Sequence, residues 1–275
     1  MADSKTAGNL PERLRVRAGS RVRLKESDAD RVLGWEEHAA EAELEAIRPR
    51  LGKLQYDLYA DGRHALLIVF QAMDGGGKDG TIRNVVSAFN PQGCTVTSFK
   101  APTPAELAHD FLWRVHRHAP RRGEVAVFNR SHYEDVLVVR VRELVPRAQW
   151  RERYQQINEF ESLLGHNGVH IVKFFLHISR DEQRRRFEDR LRDPRKQWKF
   201  GPGDLDVRKQ WSEYRRAYED ALSRCSTEQA PWYVVPADHK WFRNLAVARI
   251  LEETLEHLPL RFPKPRFDPA KIRIP

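Results

Sequence analysis

The chain has 275 residues, 40% of them apolar and seven of them Trp, with a formal charge of +9 and a pI of about 9.7. That content excludes a disordered chain, and the charge points to a polyanionic partner: nucleic acid, lipid, nucleotide or inorganic phosphate chains. No apolar run is long enough to span a bilayer, the N-terminus lacks a signal-peptide core, and Cys94 and Cys225 stand in no metal-ligand spacing, so a reduced, cytoplasmic protein without a membrane partner is expected.

Residues 1–34 are polar and basic, and Leu14, Val16, Val22 and Leu24 alternate with arginines. This stretch is too poor in apolar residues to fold alone and is expected to be an arm, either flexible or laid across the domain. From Trp35 to Tyr59, Leu44, Ile47, Leu51, Leu54 and Leu58 recur at helical spacing, with Pro49 expected to kink or split the helix.

Six apolar residues, Ala65 to Phe70, then lead into Gln71-Ala72-Met73-Asp74-Gly75-Gly76-Gly77-Lys78-Asp79-Gly80-Thr81. Ile82, Val85, Val86 and Phe89 follow at helical spacing. Strand, glycine loop and helix is the layout of a phosphate-binding loop, in which backbone amides converge on a phosphate and Lys78 adds a full charge. The match is imperfect. Ala72 stands where the first glycine belongs, and Asp79 replaces the hydroxyl residue that would meet Mg²⁺.

Further strands are expected at Cys94–Phe99, Glu124–Phe128, His170–His177 and Trp232–Val235. Helical patterns lie between them at Leu107–His116, Trp150–Leu164 and Val207–Leu222. Short apolar strands alternating with helices predict an α/β fold: a five-stranded parallel sheet with helices on both faces in three layers. The division is a domain over 35–260 with a helical lid near 182–210, then an extended tail over 261–275.

In such folds, ligands sit beyond the C-terminal ends of the strands. The third strand runs into Asn129-Arg130-Ser131-His132-Tyr133-Glu134-Asp135, which offers the arginine and carboxylates that phosphoryl transfer uses, and in which Ser131 and Glu134 could equally form a helix capping box. After the fourth strand, Arg184 to Lys199 holds eight basic residues against three acidic ones, placed where a P-loop kinase carries a phosphate-gripping lid.

Taken together, QAMDGGGKDGTI and FNPQG within 71–93, NRSHYEDVLVVRV at 129–141, DPRKQWKFGPGDL at 193–205 and WYVVPADHKWFRNLAV at 232–247 resemble polyphosphate kinase family 2. The resemblance implies a thymidylate-kinase-like core with a lid, Mg²⁺ dependence, and reversible transfer between inorganic polyphosphate and adenine nucleotides, with guanine nucleotides a further option. The HYED form resembles the subgroup that uses both AMP and ADP, and a homodimer or homotetramer would fit the family. By position, Asp74 and Lys78 match the family's loop acid and lysine. Other members carry Asp where Asn129 stands, which shifts the second metal ligand to Asp135 or Glu134.

The expected roles follow. Asp74, Lys78, Arg130 and Asp135 are catalytic, with the metal between Asp74 and Asp135. Gly75, Gly76, Gly77, Asp79, Gly80, Asn129, Tyr133 and Glu134 hold phosphate or nucleotide, and Arg186, Arg190, Lys196 and Lys199 hold polyphosphate on the lid. Two other readings are an ATP-dependent nucleoside monophosphate kinase and a basic RNA-binding protein. Nucleic acid is the less favoured partner, because the basic residues concentrate at the lid and no RNP-type motif is present.

Overall fold

The computed structural model describes residues 9–274, so the start of the N-terminal arm and the last tail residue lie outside the described residues. The elements begin with α1 (Leu10–Leu14), α2 (Glu37–Asp61), β1 (Ala65–Ala72), α3 (Lys78–Asn84) and β2 (Cys94–Ser98). Next come α4 (Pro104–Leu107), α5 (Trp113–His116), β3 (Val125–Asn129), α6 (Val138–Val141), α7 (Arg147–His166) and β4 (Val169–His177). The chain closes with α8 (Arg180–Arg192), α9 (Pro202–Lys209), α10 (Trp211–Cys225), β5 (Trp232–Pro236) and α11 (Lys240–Glu256).

The five strands form one parallel sheet in the order β2-β3-β1-β4-β5. All eight residues of β1 are buried, as a central strand covered on both faces must be. Its apolar run therefore carries no alternation. α2 packs on α11, and α7 packs against β4 and α10. No helix among the described residues is long and apolar enough to cross a membrane.

Three local expectations give way. Pro49 does not split its helix: α2 runs unbroken over 25 residues. An interior proline costs a helix about 3 kcal/mol, but Leu44, Ile47, Leu51 and Leu58 are buried on both sides of it and hold the two halves together. The pattern at Leu107–His116 is two short turns rather than one helix, because the Asp110 carboxylate takes the amides of Leu112 and Trp113 and starts a new turn there. The pattern over 207–222 breaks at Gln210. There α9 leaves Asp204 and Val207 facing the cleft, while α10 turns Tyr214, Ala217, Tyr218 and Leu222 into the core.

The basic N-terminal stretch lies across the domain. Leu10, Leu14, Val16 and Leu24 are buried, Val16 donates its amide to Trp232, and Arg15 bridges Tyr233 in antiparallel fashion. Residues 261–274 are exposed and hold one turn, Pro269–Lys271.

Candidate active site

β1 ends at Ala72 and α3 begins at Lys78, so the glycine loop spans the C-terminal end of the central strand. Gly77 sits at φ +99°, a backbone region that side chains disfavour, and a Cβ on Gly76 would come within 2.4 Å of the Ala72 side chain. Only glycine fits either position. The loop is fastened by its carbonyls. Gln183 donates to Asp74 at 2.7 Å, Arg186 to Gly75 at 2.9 Å, Tyr218 to Ala72 at 3.0 Å and Lys78 to Ala72 at 3.3 Å. The amides of the first helical turn have no partner within the helix and are left for an anion.

The loop after β3 faces this cradle. Arg130 sits at φ +63°, strained for a non-glycine residue, and its guanidinium meets Asp74 at 2.8 Å. Burial works against the Arg130 charge, but Glu134 and Asp74 more than offset it and raise its pKa. Burial, with Arg130 alongside, pulls the Lys78 ammonium below the usual lysine range, while Asp74, Glu134 and Asp79 act to support it. Asn129 donates to Asp79 at 2.7 Å, and Gln71 to Ser131 at 3.2 Å, so the end of β3 is tied to α3 and β1 to the loop that follows β3. Ser131 also caps the turn His132–Asp135 by accepting from the Tyr133 amide.

A cavity of about 550 Å³ opens beside these groups. Asp74, Arg130, Glu134 and Asp135 border one side. Phe99, Pro102, Val138 and Tyr214 give it an apolar wall, and Asp204 and Val207 reach in from α9. A polar end against an apolar wall suits a nucleotide, with its phosphates toward the loop and its base against the wall.

Three expected site residues are engaged within the protein itself. Tyr133 is wholly buried, and its hydroxyl donates to Glu161 at 2.9 Å, so it meets no ligand. Asp135 borders the cavity but is committed to Arg153 at 2.9 Å, and burial pushes its carboxyl up to about 6. Glu134 is the acid that lies among Lys78, Arg130 and Asp74. Arg186 is buried and spends its donors on Glu182, Gly75, Ala237 and Asp238, behind the loop rather than on the lid surface. Arg190 stacks on Phe187 and donates to Lys199, Lys199 covers Trp198, and Lys196 pairs with Asp193 at 2.9 Å.

Among the described residues, no three His, Cys, Asp or Glu side chains gather into a metal cage. The acids bordering the cavity, Asp74, Glu134, Asp135 and Asp204, are hard oxygen donors. Mg²⁺-type cations are ordinarily held by one or two carboxylates together with substrate phosphates, and these residues fit that mode.

A further cluster lies directly beneath. Lys173 in β4 donates to Glu161 in α7, to the Tyr133 hydroxyl and to the Cys225 carbonyl, and His132 bonds the same carboxylate at 3.2 Å. Burial acts to raise the Glu161 carboxyl, yet Lys173 and His132 hold it below its ordinary value. Burial keeps His132 below its ordinary value and therefore neutral. This network anchors the residues that follow Arg130. Its one visible trace in sequence is a lysine in the middle of an apolar strand.

Glycine loop, facing arginine and acids, and basic lid define a P-loop phosphotransferase on a kinase-like α/β core. The chain belongs to the polyphosphate kinase 2 family, whose description "Polyphosphate kinase 2 (PPK2)" matches residues 34–262. It is 52% identical to an AMP/ADP-polyphosphate phosphotransferase of Meiothermus ruber, over 96% of this chain and 99% of that one. It is 51% identical to an ADP-polyphosphate phosphotransferase of Rhodopseudomonas palustris, over 78% of each. The structure superposes on the crystal structure of polyphosphate kinase 2 from Arthrobacter aurescens TC1 with a TM-score of 0.92 and 44% identity, over 98% of this chain and 97% of the other. Phosphotransferases of this family generally need a divalent metal.

Proposed function

We propose that this protein transfers phosphoryl groups reversibly between inorganic polyphosphate and AMP or ADP, in line and without a covalent enzyme intermediate. The observation that carries this reading is the convergence of Lys78, Arg130, Asp74 and Glu134 at the C-terminal ends of β1 and β3, beside a cavity of nucleotide size. Similarity across nearly all of a protein named for AMP and ADP supports the choice of acceptors.

The loop amides and Lys78 would bind the phosphate at the transfer point. Arg130, preset by its bond to Asp74, would meet the charge on the equatorial oxygens as it develops. Asp74 and Glu134 would hold Mg²⁺, which when bound supplies charge neutralisation across the bridging phosphates. Asp135 and Arg153 would shape the wall of the acceptor cavity, and Arg190, Lys196 and Lys199 would guide the polyphosphate chain along the lid. Both cysteines are free, as suits the reduced cytoplasm where nucleotides are found.

The test is purified protein with Mg²⁺ and AMP, ADP or GDP, given polyphosphate or ATP as donor. ADP and ATP formed from polyphosphate alone support the proposal, and the GDP arm reads base selectivity. Turnover only with ATP would make it a nucleoside monophosphate kinase. Gel filtration in the same buffer reads the homo-oligomer expected of the family.

A further inference from the structure

The described residues include six buried Lys or Arg side chains: Lys78, Arg114, Arg153, Lys173, Arg186 and Arg243. Four have a carboxylate within ion-pair distance, namely Glu106, Asp135, Glu161 and Glu182 respectively for Arg114, Arg153, Lys173 and Arg186. The two that do not are Lys78 and Arg243. A buried charge persists when something offsets it; Lys78 has Asp74, Glu134 and Asp79 near it, and its loop is of the form that receives a phosphate.

Arg243 likewise lacks a carboxylate within ion-pair distance, and unlike Lys78 it has no nearby acid supporting its charge. It lies in the first turn of α11, is 2% exposed, and its Nε and Nη2 bond only to Asn244 Oδ1, at 3.2 and 2.8 Å. Its Nη1 has no hydrogen-bond partner among the described residues and sits 2.0 Å from where a Cβ on Gly77 would be. A Cβ on Gly80 would come within 3.3 Å of Nη2. The Arg186 guanidinium borders the same spot at 3.4 Å, but its charge is already spent on Glu182 and three carbonyls. Burial, with Arg186 adding repulsion, brings Arg243 down to about 9, so it remains charged at neutral pH.

The position also selects the ligand. The cavity with the apolar wall takes Ala72, Met73 and Asp74 from the loop and does not include Gly77 or Arg243. A nucleoside on that side leaves the Gly77 side for the other substrate, a chain of phosphates with no base to bury.

We propose that Arg243 is a second cation of the phosphate cradle, matched to the condensed-phosphate substrate on the Gly77 side of the loop. This rests on the polyphosphate reading above. A bidentate guanidinium suits phosphate oxygens, and the α11 backbone holds it rigidly, unlike the exposed lid cations.

The test compares wild type, Arg243→Met and Arg243→Lys by KM for polyphosphate, KM for ADP, and the thermal shift that tripolyphosphate produces. In Arg243→Met, KM for polyphosphate should rise by about ten- to a hundredfold, the loss expected for a hydrogen-bonded charge. KM for ADP should stay near wild type, and the tripolyphosphate shift should vanish. Arg243→Lys should recover part of each. Equal changes in both KM values, or an undiminished tripolyphosphate shift, would make Arg243 a mere prop for the loop and overturn the proposal. Should Arg243→Met not fold, Arg243→Lys decides alone: a rise in KM for polyphosphate only supports the assignment, and no change in either overturns it. If wild type turns over no polyphosphate, the transfer reading fails by itself. The tripolyphosphate shift, lost or kept in the variants, still decides for or against Arg243.

Discussion

The glycine loop and the basic segment from Arg184 to Lys199 hold their charges in opposite ways. Around the loop much of the charge is buried and engaged: Arg243 beside the glycines, Lys78, Arg186 and Gln183 on the carbonyls, Lys173 and Glu161 one layer below. On the lid, charge is exposed and loosely paired. Arg184, Arg185, Arg192, Arg195 and Lys196 sit in solvent beside acids three or four residues away or in the adjoining turn. Exposed pairs of this kind contribute about 0–1 kcal/mol each, so the lid gains little stability from them and stays available to a polyanion. On the proposed function, the buried region would place one phosphorus atom and the exposed one would pass a polymer.

The contrast can be broken from the buried side first. Glu161→Ala leaves the Lys173 ammonium buried without its carboxylate and should destabilise the fold by about 3–5 kcal/mol, read by chemical denaturation. The same substitution frees Tyr133 and His132, so activity should fall even where the protein is still folded. Lys78→Ala should lower kcat by about a hundredfold or more with little change in Tm, because it removes a charge aimed at the transferring group. A near-normal rate would refute the loop assignment.

Acid sharpens the comparison. Burial holds His132, His170 and His177 below the usual histidine value of 6.5. As pH falls through 6.5 the unfolded chain takes up protons that these folded residues resist, so stability should fall from pH 7 toward pH 5. Glu161, also held below its ordinary value, extends the loss below about pH 4.5. A Tm series across this range checks the sign, and His132→Gln should flatten it.

The smallest effects belong to the lid. Lys196→Ala or Lys199→Ala should leave stability within about 0.5 kcal/mol of wild type. Each should raise KM for polyphosphate only a few-fold, and the difference should shrink as salt screens the exposed charge. A larger effect from either lysine than from Lys78 would reverse the comparison.

The strand, loop and helix around Lys78 are legible in sequence because each changes the local pattern: a continuous apolar run, then glycines, then helical spacing. The facing loop is legible as a position but not in its directions. In the tight turn over His132–Asp135 both acids border the cavity, but the Glu134 charge supports Arg130 while Asp135 is paired with Arg153. The inward turn of Arg186 is hidden in the sequence for a related reason. The charged face of α8 shows little apolar contrast, and only Phe187, with Leu191 half exposed beside it, reveals that the Gln183–Arg186 side turns inward. Arg243 and Glu161 escape altogether, since their meaning depends on partners brought together only by the fold.

The N-terminal segment carries a different consequence. A five-stranded open sheet has two edges, here β2 and β5, and an unpaired edge is a template on which another chain can add a strand. Residues 14–16 lie along β5, with the Val16 amide bonded to the Trp232 carbonyl and Arg15 paired opposite Tyr233, and so cover part of that edge from within the same molecule. β2 keeps its outer side, with Thr95, Val96 and Ser98 exposed. Removing residues 9–24 would open the second edge, and the shortened chain should aggregate through β5 while its glycine loop remains intact.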